Sequence, residues 1–117
     1  MGAREVEPAE TPAADAALFI SATPIRKEVE LSDGTKHVLY FREVPAKVFR
    51  RYSKDVNSDD PEVSDMATPR LIAASLCDPD GTLTMTPERA STLKANASNA
   101  ILLAVLDVNG VGTRKNA

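Results

Sequence analysis

The run Ser75 to Glu88, SLCDPDGTLTMTPE, gathers two aspartates, a glycine, several hydroxyls and a glutamate within a span about the length of a calcium loop. In such a loop the glycine is sixth, with oxygen ligands at the first, third, fifth and twelfth places. Setting Gly81 sixth puts Asp78 and Asp80 in the third and fifth places, but the first falls on Leu76 and the twelfth on Pro87. Neither side chain has an oxygen to offer. Counting from Asp78 instead makes the glycine fourth, at the wrong corner. A structural reading uses more of the residues. Asp78-Pro79-Asp80-Gly81 supplies a tight turn, proline fixing φ and glycine free to take positive φ. Leu83 and Met85 alternate with Thr82 and Thr84 as a short extended piece, and Thr86-Pro87-Glu88 reads as an N-cap, a first-turn proline and an acid favoured by the helix dipole. The stretch reads as a corner between two helices.

The remaining reactive residues are sparse. His37 is the only histidine and lies in a strand-like alternation, where an edge or surface position is the ordinary outcome. Cys77 is the only cysteine, so it forms no internal disulfide and belongs to no zinc spacing; at a helix end it reads as a small buried hydrophobe. No phosphate-binding glycine loop is present. The expectation is a protein that is not an enzyme and uses no cofactor and no metal. A formal charge of −3 disfavours a general nucleic-acid binder, which needs a basic surface. The N-terminal run has no apolar stretch of signal-peptide length, and no segment approaches the roughly 18 apolar residues of a membrane span, so a soluble intracellular protein is expected.

Length and composition limit how the parts are held. The 117 residues fit one domain, and hydrophobic residues at 43% allow a core; with aromatics at 4% that core must rest on Leu, Ile, Val and Ala. Residues 1–17, rich in Ala, Glu and Pro, read as a flexible tail, with order beginning near Leu18 and Phe19. Then Ile25, Lys27, Val29 and Leu31 alternate with Arg26, Glu28 and Glu30, the period of a half-buried strand. Asp33-Gly34 predicts a two-residue type I′ hairpin turn, which sets Val29 opposite Val38 and Tyr40 on the same face, with Leu39 and Phe41 on the other.

The segment from Pro45 to Asp55 reads as a short helix with Val48, Phe49 and Tyr52 on its apolar side. Lys47, Arg50, Arg51 and Lys54 form a basic stripe with both arginines expected to be exposed; it is either a solvated face or a docking face for phosphate or an acidic partner. A second helix starts either at the Thr68-Pro69 pair or near Asp60 with a kink at Pro69. The last helix is expected from about Pro87 to Val108, stopped by Asn109-Gly110. Leu93, Ala97, Ala100, Ile101, Ala104, Val105 and Val108 share its core face. Leu102, Leu103 and Leu106 fall opposite, making AILLAVLDV apolar almost all round. A helix of that kind is normally buried. Either the hairpin covers the second stripe or another polypeptide does, and Leu102, Leu103 and Leu106 are the candidate partner-binding residues.

The order of these parts, through RLIAASLCDPDGTLTMTPERASTLKANASNAILLAVLDVNGVG, resembles the tail assembly chaperones of long-tailed, non-contractile bacteriophages and prophages. The resemblance rests on the helix Leu71 to Leu76, the Asp78 to Gly81 corner, the apolar piece Leu83 to Met85, and the helix Leu102 to Gly110. It implies an α+β fold, a β-hairpin followed by a mostly helical part, with a single small domain over 18–112 and a flexible end over 113–117. It further implies a non-catalytic helper in the host cytoplasm, absent from the mature virion. Such a helper self-associates, binds the tape-measure protein and brings tail-tube subunits to it, the last through a possible longer frameshifted product for which TRKNA fits an A-rich slippery run. A small phage or bacterial regulator touching nucleic acid through residues 47–54 is the alternative. Because the first and twelfth ligand places are unfilled, millimolar calcium is expected to leave the thermal midpoint unchanged; a rise of several degrees would restore the metal reading.

Overall fold

The computed structural model of the chain describes residues 16–111. The expected tail over 1–17 and end over 113–117 therefore fall, apart from exposed Ala16 and Ala17, outside the described residues. Strands β1 (Ile25–Glu30) and β2 (Lys36–Phe41) form the antiparallel hairpin. Its turn differs from the expectation. Leu31 N donates to Thr35 O at 2.8 Å and Gly34 N to Leu31 O at 2.9 Å, enclosing a three-residue loop, Ser32-Asp33-Gly34. Among the described residues only glycines take positive φ, so Asp33 does not, and Gly34 at φ +88° is the one left-handed position of this loop. This is a type I turn followed by a left-handed residue rather than type I′. Thr35 explains the choice: its N–H and hydroxyl both donate to Asp33 Oδ1, at 2.9 and 2.7 Å, bracing the loop from inside.

One extra loop residue moves the register by one and exchanges the faces of β2. Val29 sits opposite His37, not Val38, while Lys27 meets Leu39 and Ile25 meets Phe41. Leu39 and Phe41 therefore join Val29 on the inner face, and Val38 and Tyr40 lie with Arg26 and Glu28 on the outer one.

The same loop recurs at Pro79-Asp80-Gly81. Asp78 N donates to Thr82 O at 3.0 Å, Gly81 N to Asp78 O at 2.9 Å, and Thr82 gives both its donors to Asp80 Oδ1 at 2.9 and 2.7 Å. Gly81, at φ +92°, stands against Ala22 and Pro24. Before this loop lies β3 (Leu76–Cys77), antiparallel to β2, and after it Leu83 bridges back to Cys77. The sheet order is β1-β2-β3.

Among the described residues beyond the hairpin, four helices complete the α+β fold: α1 (Ala46–Val56), α2 (Pro61–Ser75), α3 (Pro87–Ala90) and α4 (Ala95–Val108). The longer of the two alternatives for α2 holds. Asp60 caps it by accepting from Glu62 N at 3.0 Å, Pro61 opens it, and Pro69 lies buried inside. Packing tolerates the amide that Pro69 lacks. The expected single helix from Pro87 to Val108 is broken at residues 91–94. Ser91 and Thr92 turn their hydroxyls back onto the carbonyls of Glu88 and Arg89, at 2.6 and 2.7 Å, and Lys94 is extended. Local hydroxyl bonds of this kind compete with helix continuation.

The core joins the sheet's inner face to α2 and α4. Phe41, Ile72 and Val105 are fully buried, with Leu71, Leu76 and Ile101 around them. Sheet and helix are stitched where Arg42 N donates to Ser75 O and Ser75 Oγ to Arg42 O, both at 2.7 Å. Asn109 closes α4, donating to Val105 O at 2.8 Å and accepting from Val44 N at 2.9 Å.

A charged tie links α1 to α2. Asp55, only 5% exposed, accepts from Arg51 Nε at 2.9 Å, and Arg70 Nη1 lies 3.5 Å from the same oxygen. Arg51 is solvent-exposed as expected, but it is not free, because Asp55 holds its guanidinium. Arg51→Glu sets a second negative charge beside a buried one and is expected to cost about 1–3 kcal/mol. Arg50→Glu is expected to stay within about 0.5 kcal/mol of the parent, as surface substitutions do. Urea unfolding of both variants checks the contrast.

Candidate partner-binding surface

The acidic corner that first suggested chemistry is occupied with itself. Asp78 Oδ1 accepts from the amides of Asp80 and Thr82, and Asp80 Oδ1 from Thr82. The Asp80 carboxyl is held below the usual carboxylate range, first by a hydrogen bond with the Asp78 side chain and then by Thr82. Asp33 is lowered in the same way, by the Thr35 hydroxyl and then its amide. Depressed carboxylates stabilise the fold above their unfolded pKa, and that contribution is lost as pH falls through the folded value. These carboxylates serve the loops. Among the described residues no group of three or more His, Cys, Asp or Glu is placed to hold a metal ion.

Cys77 is buried in the sheet, and burial pushes its thiol up, with Arg42 acting in the opposite sense. A protonated buried thiol is a poor nucleophile. His37 is exposed, with Nε2 3.2 Å from Thr35 Oγ1.

What the fold does assemble is apolar. Between the inner face of the hairpin and the start of α4 is a half-open cavity of about 220 Å³, lined by Val29, Leu31, Leu39, Leu76, Met85, Leu93, Ala97 and Ile101, with His37 also on the lining. Such a site suits an apolar side chain more than a reacting group. On α4 the two expected stripes separate differently from a simple front and back. Ile101, Ala104 and Val105 are buried, while Leu102 and Leu106 are half-buried against the same core. Leu103 remains 59% exposed. It stands beside β1, with Ala100 and Ala104 between, where Lys27 reaches across to an ion pair with Asp107. The three leucines are thus not one surface, and Leu103 is the one presented outward. Leu18 and Phe19, where order was expected to begin, are also strongly exposed, at 80% and 73%.

No helix among the described residues is long and apolar enough to cross a membrane. No family model and no curated protein matches the chain. A hairpin, two helices, a third strand beyond them and a broken final helix define an α+β fold of the kind seen in a phage tail assembly chaperone. One solved structure with a similar fold is the tail assembly chaperone of bacteriophage HK97, which matches at a TM-score of 0.52 and 19% identity over 86% of this chain and 95% of that one. At that identity the likeness is one of fold, and the resemblance drawn from the sequence points to the same protein class.

Leu103→Glu is expected to leave the unfolding free energy within about 0.5 kcal/mol of the parent, because its side chain meets mostly water. Leu102→Glu and Leu106→Glu each push a charge against the core and are expected to cost about 1–3 kcal/mol. Equal effects at all three positions, measured by urea denaturation, would show that the division of the stripe is wrong.

Proposed function

We propose that this protein is a non-catalytic phage tail assembly chaperone. In this reading it works in the host cytoplasm, self-associates, binds the tape-measure protein, helps bring tail-tube subunits to it, and does not stay in the mature virion. The observation that carries the reading is the fold shared with the HK97 chaperone over nearly the whole of both chains. The surface supports it. An apolar cavity beside the sheet and exposed Leu18, Phe19 and Leu103 offer contacts to apolar helices, while Asp33, Asp55 and Asp80 are engaged in loops and an ion pair. The regulator alternative has less support: Arg51 of the basic stripe is engaged by Asp55, and the formal charge is −3.

The test is co-expression with the tape-measure protein encoded by the same phage. The expected result is a soluble tape-measure protein that co-purifies with this chain and is insoluble without it. A tape-measure protein whose solubility and yield are indifferent to this chain would overturn the reading, and tight DNA binding at physiological salt would favour the regulator.

A further inference from the structure

The outer face of α1 carries charge that the rest of the fold does not answer. Lys47, Arg50 and Lys54 recur at helical spacing on one side, all three exposed, and no ion pair engages them among the described residues. Asp55 on the same helix is buried and already shared by Arg51 and Arg70. The opposite charge lies outside the described residues. Residues 1–15, MGAREVEPAETPAAD, carry Glu5, Glu7, Glu10 and Asp15 against Arg4, with Met1 and Val6 as their large apolar side chains. The point at which that segment joins the fold is fixed. Ser21 N donates to Glu43 Oε1 at 2.6 Å, and Gly81 stands against Ala22 and Pro24. Glu43 lies on the short link between β2 and α1, so the segment is tethered just before the helix begins at Ala46. The helix rises about 16 Å along its length, a distance that fifteen residues cover while far from fully extended.

We infer that the acidic segment 4–15 seats on the basic face of α1 of its own chain, so that this face is neither left to solvent nor open to an acidic partner. A single exposed ion pair contributes little. The tether lets several act together, because it holds the carboxylates near the helix at an effective concentration on the order of millimolar. Glu5, Glu7 and Glu10 supply three carboxylates for Lys47, Arg50 and Lys54, and Asp15 lies closest to the tether. A phosphate-bearing partner would first have to displace the segment. The other end of the hairpin offers a contrast. Lys36 opens β2, and Lys94 acts on Asp33 in the hairpin loop, so both lie far from Glu43 along the strands.

The test uses the full chain and a water-soluble carbodiimide, which joins a carboxylate directly to a neighbouring amine, with linked peptides identified by mass spectrometry. In low salt Glu5, Glu7 and Glu10 are expected to link to Lys47 and Lys54 about fivefold or more over Lys36 and Lys94. That preference is expected to collapse in about 0.5 M sodium chloride, where exposed charges are screened within a few ångströms. A preference that survives high salt comes from the tether alone and overturns the inference, as does even labelling of all four lysines. Glu5→Gln with Glu7→Gln and Glu10→Gln is expected to move the amide resonances of Lys47, Arg50 and Lys54 while those of Lys36 and Lys94 stay in place. Resonances of α1 that ignore this triple variant also overturn it. Links that gather on Lys115 instead put the segment on the basic chain end, and the inference fails. Mixing isotopically light and heavy chains covers the remaining case: links within one isotope are expected, and links joining light to heavy peptides would place the segment on a second copy and overturn the contact within one chain.

Discussion

The pairing of Leu31 with Thr35 decides which residues of β2 face the core, and the packing of both long helices follows from it. With a two-residue loop, Val38 and Tyr40 would have been turned inward and Phe41 outward. Leu39 and Phe41 are on the inner face because Asp33 accepts two hydrogen bonds from Thr35 and leaves Gly34 alone to take the left-handed position. Phe41 then becomes a fully buried contact with Leu76 opposite it across the sheet. Removing a buried Phe side chain from such a site costs about 3–5 kcal/mol, so a loop choice worth far less locally directs the largest apolar contribution of the sheet. The second Asp-Gly-Thr loop repeats the device at Asp80 to Thr82. There it turns the chain from β3 back to the bridge at Leu83 and holds the N-terminal segment against Gly81.

On the other side of the molecule a polar interaction sets the geometry. Asp55 is buried between α1 and α2, bonded to Arg51 on its own helix and within ion-pair range of Arg70 on the next. A buried carboxylate without partners is strongly unfavourable, whereas an apolar residue of similar volume would be tolerated. The pair therefore selects one packing of the helix hairpin more than it adds stability. It also redefines the basic stripe of α1, since one of its four charges belongs to the interior tie and Lys47, Arg50 and Lys54 alone remain as surface cations.

Much of this was legible in the sequence because the deciding interactions are local. The Thr86 cap, the proline after it, the Asn109 stop and the alternation of β1 are read within a few residues, and each lies where the pattern put it, while the Asp60 cap decides between the two starts the pattern allowed for α2. The misreadings share a cause. Asp-Gly marks a hairpin, but the loop length depends on the threonine after the glycine, and the repetition of Asp-Gly-Thr was the available signal. The break at residues 91–94 depends on two hydroxyls choosing backbone carbonyls over solvent, which periodicity does not register. β3 has two residues and no pattern of its own; it exists because the end of α2 is delivered beside β2.

The candidate surface was legible only in part, for the same reason. Helical spacing finds the core stripe of α4 at Ile101, Ala104 and Val105, but it cannot say how far the core wraps around the helix. Here it wraps past Leu102 and Leu106 and stops short of Leu103. One exposed leucine is a small apolar patch, well below what distinguishes an interface by hydrophobicity alone. The Lys27–Asp107 ion pair borders it, so whatever covers Leu103 must also meet that pair, and charges at such a rim give a contact its direction more than its strength.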